Sequence, residues 1–181
     1  MKSQLAPRLF SPEPIGVVAE NDKAHWERVY ADGYEGVSWF QARPDRSLRL
    51  IASSGVDKHA RIIDVGGGVS SLVDCLLGQG YSPVAVLDIS PTSLRYARDR
   101  LGSRARNVSW FEGDVTTFSP PRRFGLWHDR AVFHFLTDAA QRRAYVQTLR
   151  RTLVIGLAML ALPGPSIIFI PLGLAILATE F

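Results

Sequence analysis

The chain has 181 residues, 46% of them apolar and 21% charged, which suits one globular domain with its own core. Its formal net charge of +4 is carried mostly by scattered arginines, so no like-charge block marks a nucleic-acid site. The single cysteine, Cys75, excludes an internal disulfide, and its apolar surroundings in SLVDCLLGQG predict a buried, inert thiol.

Residues 1–21 form a proline-containing stretch, with Pro7, Pro12 and Pro14 but no continuous apolar run. This pattern predicts a flexible N-terminal arm and does not fit a secretory signal. We therefore expect the part that follows to face the cytoplasm.

Two helices are predicted next. In DKAHWERVYADG the apolar side chains of Trp26, Val29 and Tyr30 recur at helical spacing, and Gly33 ends the pattern. Pro44 then precedes a second helix from Asp45 to about Ser53.

After this point short apolar runs alternate with amphipathic segments. The predicted strands lie in RIIDVGG, PVAVLDIS, NVSWFEGDV and FGLWHDRAVFHFL. The predicted helices are SSLVDCLLGQG, PTSLRYARDRLG and DAAQRRAYVQTLRRTL, the last with Asp138 as N-cap. Alternation of this kind predicts an α/β fold, a Rossmann-like open parallel sheet of about four strands with flanking helices.

The stretch IIDVGGGVSSL carries the strongest indication of a binding site. Gly66, Gly67 and Gly68 join a buried strand directly to a helix, so the backbone can approach a ligand closely. Asp64 ends the strand, where a carboxylate suits an ammonium group better than a pyrophosphate. Ser71 replaces the third glycine of the dinucleotide fingerprint, which disfavours a nicotinamide-dependent oxidoreductase.

Two further acids follow later strands. Asp88 ends the second strand and is followed by Ile89. In nucleotide-binding folds an acid at about this position holds the ribose hydroxyls. Asp114, followed by Val115, ends the third strand. Because the carboxyl ends of parallel strands share one edge, we expect all three acids along that edge.

These motifs resemble those of class I S-adenosylmethionine-dependent methyltransferases, over about residues 22–153. The resemblance implies that Asp64 and the three glycines hold the methionine part of S-adenosyl-L-methionine. It further implies that Asp88 and Ile89 bind the ribose, and that Asp114 and Val115 read the adenine.

The N-terminal pair AHWERVYADG and VSWFQARPDRSL resembles the thiopurine and lysine methyltransferase branch of that family. In that branch an aromatic segment covers the cofactor, which makes Trp26, Tyr30, Trp39 and Phe40 candidates. Plain core packing is the alternative for these side chains.

The acceptor side is predicted from WHDRAVFHFL, after the fourth strand. Asp129 is the preferred residue to accept a proton from an amine acceptor, and His134 is the second. Because His134 lies between two phenylalanines, the alternative interpretation is that it is a core histidine without a catalytic role. Trp127 and His128 are alternatives for the border of the cofactor site. The histidines lack the spacing of a metal site.

The C-terminal part departs from the methyltransferase pattern. That family continues its sheet with three more strands, whereas residues 152–179 contain no charged side chain and are long enough to cross a bilayer as helix. Pro163 and Pro165 divide this segment, which leaves a kinked single span or a re-entrant hairpin open. A fifth strand in SIIFI is the less suitable alternative.

The segment VIGLAMLALPGPSIIFIPLGLAILATEF resembles a family of bacterial transmembrane proteins named for a Pro-Gly-Pro-Gly-Trp motif, with Ser166 in place of the second glycine. Arg142, Arg143, Arg150 and Arg151 precede it and favour a cytoplasmic N-terminal side.

The sequence thus predicts a flexible arm (1–21), a methyltransferase-like domain (22–151) and a hydrophobic segment (152–181). The expected function is methyl transfer from S-adenosyl-L-methionine to a small-molecule or protein amine, or to another small nucleophile, by a membrane-tethered enzyme. The alternative is an inactive methyltransferase-like membrane protein that serves as a binding module. No specific nucleic acid or metal is expected, and the oligomeric state is left open.

Overall fold

The computed structural model describes residues 23–34 and 36–153. The predictions for the N-terminal arm and for the apolar segment beyond Leu153 lie outside these residues. The helices are α1 (Lys23–Tyr30), α2 (Asp45–Ser53), α3 (Leu72–Gly78), α4 (Pro91–Leu101), α5 (Val132–Phe135) and α6 (Ala139–Thr152). The strands are β1 (Ile62–Val65), β2 (Val84–Asp88), β3 (Val108–Glu112) and β4 (Leu126–Asp129), and a 3-10 helix spans Gly102–Asn107.

The four strands form one parallel sheet in the order β3-β2-β1-β4. Every residue of the two central strands β1 and β2 is buried, as expected for strands that helices cover on both faces. The register pairs Asp64 of β1 with His128 of β4, and Asp88 of β2 with Glu112 of β3. The predicted α/β architecture with a parallel sheet is therefore confirmed.

Two apolar layers cover the sheet. One layer joins Ile62, Val84 and Val86 to the buried faces of α2, α3 and α4. The other joins Ile63 and Leu87 to the side of α6 that carries Tyr145. Successive residues of β1 alternate between the two layers, so a single strand anchors both.

The helix boundaries follow the capping residues. The Ser90 hydroxyl accepts from Ser93 N at 3.0 Å before Pro91 opens α4. Asp138 caps α6 as predicted, since its carboxylate accepts from Ala140 N at 3.2 Å.

Three features differ from the sequence prediction or extend it. The short helix α5 was not predicted, because four residues are too few to show a period. Cys75 is half-buried, not fully buried, although burial raises the pKa of its thiol. Leu153 forms a parallel bridge with Phe124, and Phe124 N donates to Thr152 O at 2.8 Å, so the packed part of the chain continues past residue 151.

Within residues 23–34 and 36–153, each helix is too short or too polar to cross a bilayer.

Candidate functional site

The glycine turn follows β1 and passes closely over β2. The amides of Gly66 and Gly67 donate to Leu87 O at 2.7 and 3.3 Å. Gly66 (φ +66°) and Gly68 (φ +25°) adopt left-handed backbone conformations. A side-chain carbon at Gly66 would collide with Val132, and one at Gly68 would lie 2.6 Å from the Asp88 carboxylate. The turn therefore requires glycine for both conformation and space.

Asp64 is buried at the end of β1, with an exposed fraction of 3%. Its Oδ1 lies 2.7 Å from Nδ1 of His128. Its Oδ2 is buried and has no hydrogen-bond partner among the described residues. A side-chain carbon at Gly67 would approach Oδ2 to 2.6 Å, so this oxygen lies against the glycine turn. One half of the carboxylate is therefore held by the protein, while the hydrogen-bonding capacity of the other half is unused within the described residues.

His128 connects the sheet to α2. Its Nε2 lies 2.9 Å from the Ser47 hydroxyl, and both side chains are buried. Ser47 was not among the predicted site residues, and His128 was predicted only as an alternative for the border of the cofactor site. The pairing of Asp64 with His128 follows from the neighbouring positions of β1 and β4, which the sequence pattern does not reveal.

Asp88 lies next along the same edge and is also buried, with an exposed fraction of 8%. Its Oδ1 accepts from Ser90 N at 2.8 Å. The pKa of Asp88 is raised to about 6, mainly by burial and in smaller part by the nearby Asp64 charge, although hydrogen bonds from Ser90, Ser93 and Gly68 act to lower it. Ile89 follows it and is half-buried.

Asp114 is the second residue of the loop after β3 and is half-buried. Its Oδ1 accepts from Thr116 N at 2.8 Å, which orders the loop. Val115 is buried in the apolar layer below. The three predicted acids thus follow three adjacent strands, β1, β2 and β3, at their carboxyl ends.

An aromatic cluster lies beside this edge. Trp26 stacks on Tyr30 and makes edge contacts with Trp39 and Phe135, at centroid distances of 6.2, 6.1 and 5.0 Å. Trp39 and Phe135 are 42% and 53% exposed, so core packing alone does not account for them. Phe135 was not predicted, and Phe40 instead packs against Tyr34.

Tyr30 links this cluster to the acids. Burial raises the pKa of Tyr30 to about 12, and the charge of Asp88 contributes to the rise. Arg130, at the end of β4, donates to Trp39 O at 2.9 Å and to Gln41 Oε1 at 3.0 Å. The aromatic segment is therefore fastened to the carboxyl edge of the sheet.

Glu27 fastens α1 to the start of α4. Its carboxylate accepts from the Ser90 hydroxyl, and from Thr92 N and Oγ1 at 3.1 and 2.7 Å. Free amides at a helix N-terminus attract a carboxylate, yet nothing in the local sequence indicated which acid would fill this position.

The acceptor-side candidates have different environments. The buried Asp129 carboxylate accepts from the amides of Ala131, Val132 and Phe133 and from the Tyr145 hydroxyl at 2.6 Å. Burial raises the pKa of Asp129, but its contacts are those of a helix cap. A catalytic role for Asp129 stays a prediction that these contacts do not favour.

His134 lies on α5 and is exposed, next to Phe135 at a ring distance of 5.6 Å. The alternative that it is a core histidine is therefore wrong. Trp127 donates to the Tyr145 hydroxyl at 2.9 Å in the apolar layer, away from His128 on the opposite face of β4.

A cavity of about 480 Å³ lies between the segment after α1 and Tyr96 of α4. None of its lining residues belongs to the glycine turn or to the three acids. We therefore assign the site from the side-chain chemistry at the sheet edge. In the described part of the chain, no three His, Cys, Asp or Glu side chains come together as a metal site.

Several methyltransferases of known structure resemble this fold. The glycopeptide N-methyltransferase MtfA complexed with (S)-adenosyl-L-methionine matches with a TM-score of 0.52 and 24% identity, over 60% of this chain and 49% of that one. The N-methyltransferase NodS from Bradyrhizobium japonicum WM9 matches with a TM-score of 0.53 and 25% identity, over 62% and 61%. An S-adenosylmethionine-dependent methyltransferase from Clostridium acetobutylicum ATCC 824 matches with a TM-score of 0.54 and 15% identity, over 62% and 47%. The chain spans about half the length of the MtfA structures, 50% and 49% in two of them.

Two family models match the sequence itself. Residues 151–181 match a family described as "Putative transmembrane protein (PGPGW)". Residues 62–156 match the family described as "Methyltransferase domain". No curated protein matches the chain. Since the second model covers more than half of the 181 residues, and the parallel sheet agrees with it, the chain belongs to the class I methyltransferase domains.

Proposed function

We propose that this protein binds S-adenosyl-L-methionine and transfers its methyl group to an amine or another small nucleophile. The observation that carries the proposal is the buried Oδ2 of Asp64, which has no partner among the described residues and lies against a turn that has no side chains. A cationic amine in that position would satisfy the carboxylate. The residues of the site therefore fit the amino-acid end of the cofactor.

The other acids have matching roles. Asp88, whose carboxylate lies against Gly68 of the turn, binds the ribose hydroxyls once its proton is lost. Asp114 and Val115 border the position of the adenine, and Ile89 packs beside the adenine. Trp26 and Trp39 cover the cofactor from the side of α1, because Glu27 and Arg130 hold that segment against the sheet.

The bound sulfonium supplies an activated methyl carbon. The protein's part in such a displacement is to align the acceptor and to keep water out. The exposed faces of Trp39 and Phe135 suit an acceptor with apolar or cationic character. Among the predicted proton acceptors, we favour the exposed imidazole of His134 over Asp129, whose carboxylate is occupied by four donors. Two structural relatives are N-methyltransferases, which supports an amine as acceptor.

Calorimetric titration of the full-length protein with S-adenosyl-L-methionine tests this function. We expect saturable binding, and a loss of about tenfold or more in affinity for Asp88→Ala. Transfer of a labelled methyl group to amines then tests catalysis, with His134→Gln expected to lower the rate by about 100-fold. A folded protein that fails to bind the cofactor would falsify the proposal.

A second candidate is a binding module without transferase activity. The capping role of Asp129 favours it, because the residue predicted to serve the acceptor makes only structural contacts. Cofactor binding without transfer to any amine in a broad acceptor panel would favour this candidate, and transfer to any one of them would exclude it.

The domain division and the membrane tether belong to the same proposal. The match of residues 151–181 to the putative transmembrane family supports a hydrophobic tether, in which the exposed arginines of α6 face anionic lipid on the cytoplasmic side. The pairing of Leu153 with Phe124 favours a domain boundary after residue 153. Flotation with liposomes should recover the full chain and lose a variant that ends at Leu153.

A further inference from the structure

Three buried side chains form a continuous hydrogen-bonded chain across three elements. Ser47 of α2 contacts His128 of β4 at 2.9 Å, and His128 contacts Asp64 of β1 at 2.7 Å. Their exposed fractions are 2%, 8% and 3%. This network of three side chains lies beneath the glycine turn, where the ligand is expected.

The imidazole has one orientation in this arrangement. A hydrogen bond to each ring nitrogen fixes both the rotation of the ring and the position of its proton. With the Ser47 hydroxyl donating to Nε2, the proton stays on Nδ1 and is donated to Oδ1 of Asp64. The Asp64 carboxylate is then held by one oxygen only.

The second carboxylate oxygen of Asp64 indicates the role of this arrangement. Oδ2 has no partner in the described structure, although leaving a buried polar atom unpaired costs about 1–3 kcal/mol. The fold holds Oδ1 firmly and leaves Oδ2 unpaired beside Gly67. This arrangement suits a ligand that donates to Oδ2. Residues that act through a ligand-binding group in this way alter its geometry without touching the ligand.

We propose that His128 and Ser47 are positioning residues that fix the Asp64 carboxylate so that Oδ2 receives the ammonium group of the cofactor. The inference rests on the proposed function, since it assumes that Asp64 binds the amino-acid end. It predicts that the pair contributes to affinity only for ligands that carry that amine. Residues that merely stabilise the core would instead affect all ligands equally.

Two neutral thioethers separate these cases. S-adenosylhomocysteine and methylthioadenosine share the adenosine and the sulfur, but only the first carries an amino-acid group. Calorimetry on the full-length protein should show that His128→Leu weakens S-adenosylhomocysteine about tenfold or more and methylthioadenosine by less than about twofold. Ser47→Ala should show the same selectivity with a smaller loss.

Two amide variants sharpen the test. His128→Asn places an amide near the position of Nδ1 and should recover most of the lost affinity, whereas His128→Gln reaches towards Ser47 and should not. His59→Asn, on the exposed loop at the opposite edge of the sheet, is the matched control and should bind both ligands normally.

The outcomes distinguish this inference from the proposed function. If Asp64→Asn weakens both ligands alike or neither, the assignment of Asp64 fails, and the inference with it. If Asp64→Asn is selective but His128→Leu and Ser47→Ala weaken both ligands alike or neither, only the positioning role is overturned. If His128→Leu does not fold, the test uses Ser47→Ala together with the comparison of His128→Asn and His128→Gln.

Discussion

The Tyr145 hydroxyl donates to the Asp129 carboxylate at 2.6 Å and accepts from the Trp127 indole at 2.9 Å, which joins α6 to β4. Removal of this hydroxyl leaves the Trp127 indole N–H without its acceptor and takes one of four donors from the buried Asp129 carboxylate. We expect Tyr145→Phe to lower the free energy of unfolding by about 1–3 kcal/mol, as measured by urea denaturation. Cofactor affinity should stay unchanged if Asp129 serves only as a cap.

The matched control for this variant is Tyr81→Phe. Tyr81 is also buried, but its hydroxyl makes no hydrogen bond to another described residue. Its loss should cost less than about 0.5 kcal/mol. Equal losses in the two variants would contradict a specific contribution from the Tyr145 hydroxyl.

The acid Asp88 should give the protein a pH-dependent stability. Its folded pKa of about 6 lies above the ordinary value of 3.8, so the folded state holds the proton more tightly. Stability therefore falls as the pH rises from about 4 to about 6, and the difference corresponds to about 3 kcal/mol. Urea denaturation should show a lower free energy of unfolding at pH 7 than at pH 4 for the wild type. This decrease should be absent in Asp88→Asn.

Asp99→Asn, at an exposed position on α4, is the control and should keep the wild-type profile. Because the proposed contact of Asp88 with the ribose requires its carboxylate form, cofactor affinity in the wild type should also weaken below about pH 6. A wild-type stability profile that parallels that of Asp88→Asn over this range would contradict the raised pKa.

The glycine turn should tolerate no added side chain at residue 68. A methyl group there would lie 2.6 Å from the Asp88 carboxylate and 2.8 Å from the Ser93 hydroxyl, on a backbone with φ of +25°. We expect Gly68→Ala to lower stability by about 1–3 kcal/mol and to weaken cofactor binding. Gly78→Ala is the control, because open space surrounds that position, and it should be neutral or stabilising by up to about 1 kcal/mol.

The contact between Glu27 and α4 should keep α1 in place. Glu27→Ala removes three hydrogen bonds to Ser90 and Thr92, and we expect faster tryptic cleavage after Arg28, identified by mass spectrometry. If this aromatic segment covers the cofactor as proposed, cofactor affinity should fall about threefold or more. Asp32→Asn, at an exposed position just after α1, should leave the digest unchanged. Identical digests of Glu27→Ala and the wild type would show that α1 is held by other contacts.

Local sequence signals predicted most of the fold. Continuous apolar runs that end in glycine identify β1 and β2, because strands buried on both faces have no polar positions. Pro44 indicated the start of α2 at Asp45, since proline favours the first turn of a helix. The three acids were predictable for a related reason: parallel strands that share an edge bring their last residues together.

The contacts between side chains required the folded chain. The pairing of Asp64 with His128 depends on β4 lying beside β1, and Ser47 joins them only because α2 packs on that side. The cap at Asp129 depends on a four-residue helix, too short to predict from periodicity. The exposure of His134 follows from the same helix, which turns its side chain away from the core suggested by its phenylalanine neighbours.

The network of Ser47, His128 and Asp64 also has a consequence for folding. Its two hydrogen bonds join residues 81 and 64 positions apart in the chain, whereas the glycine turn and its flanking strand are local in sequence. Contacts of such long range form after local ones, because more chain must be ordered to make them. We therefore expect the Asp64 carboxylate to stay solvated and unoriented until β4 and α2 have joined the sheet. A ligand that needs this oriented carboxylate recognises the assembled domain and stabilises it against unfolding, and has little affinity for a chain in which only the glycine turn has formed.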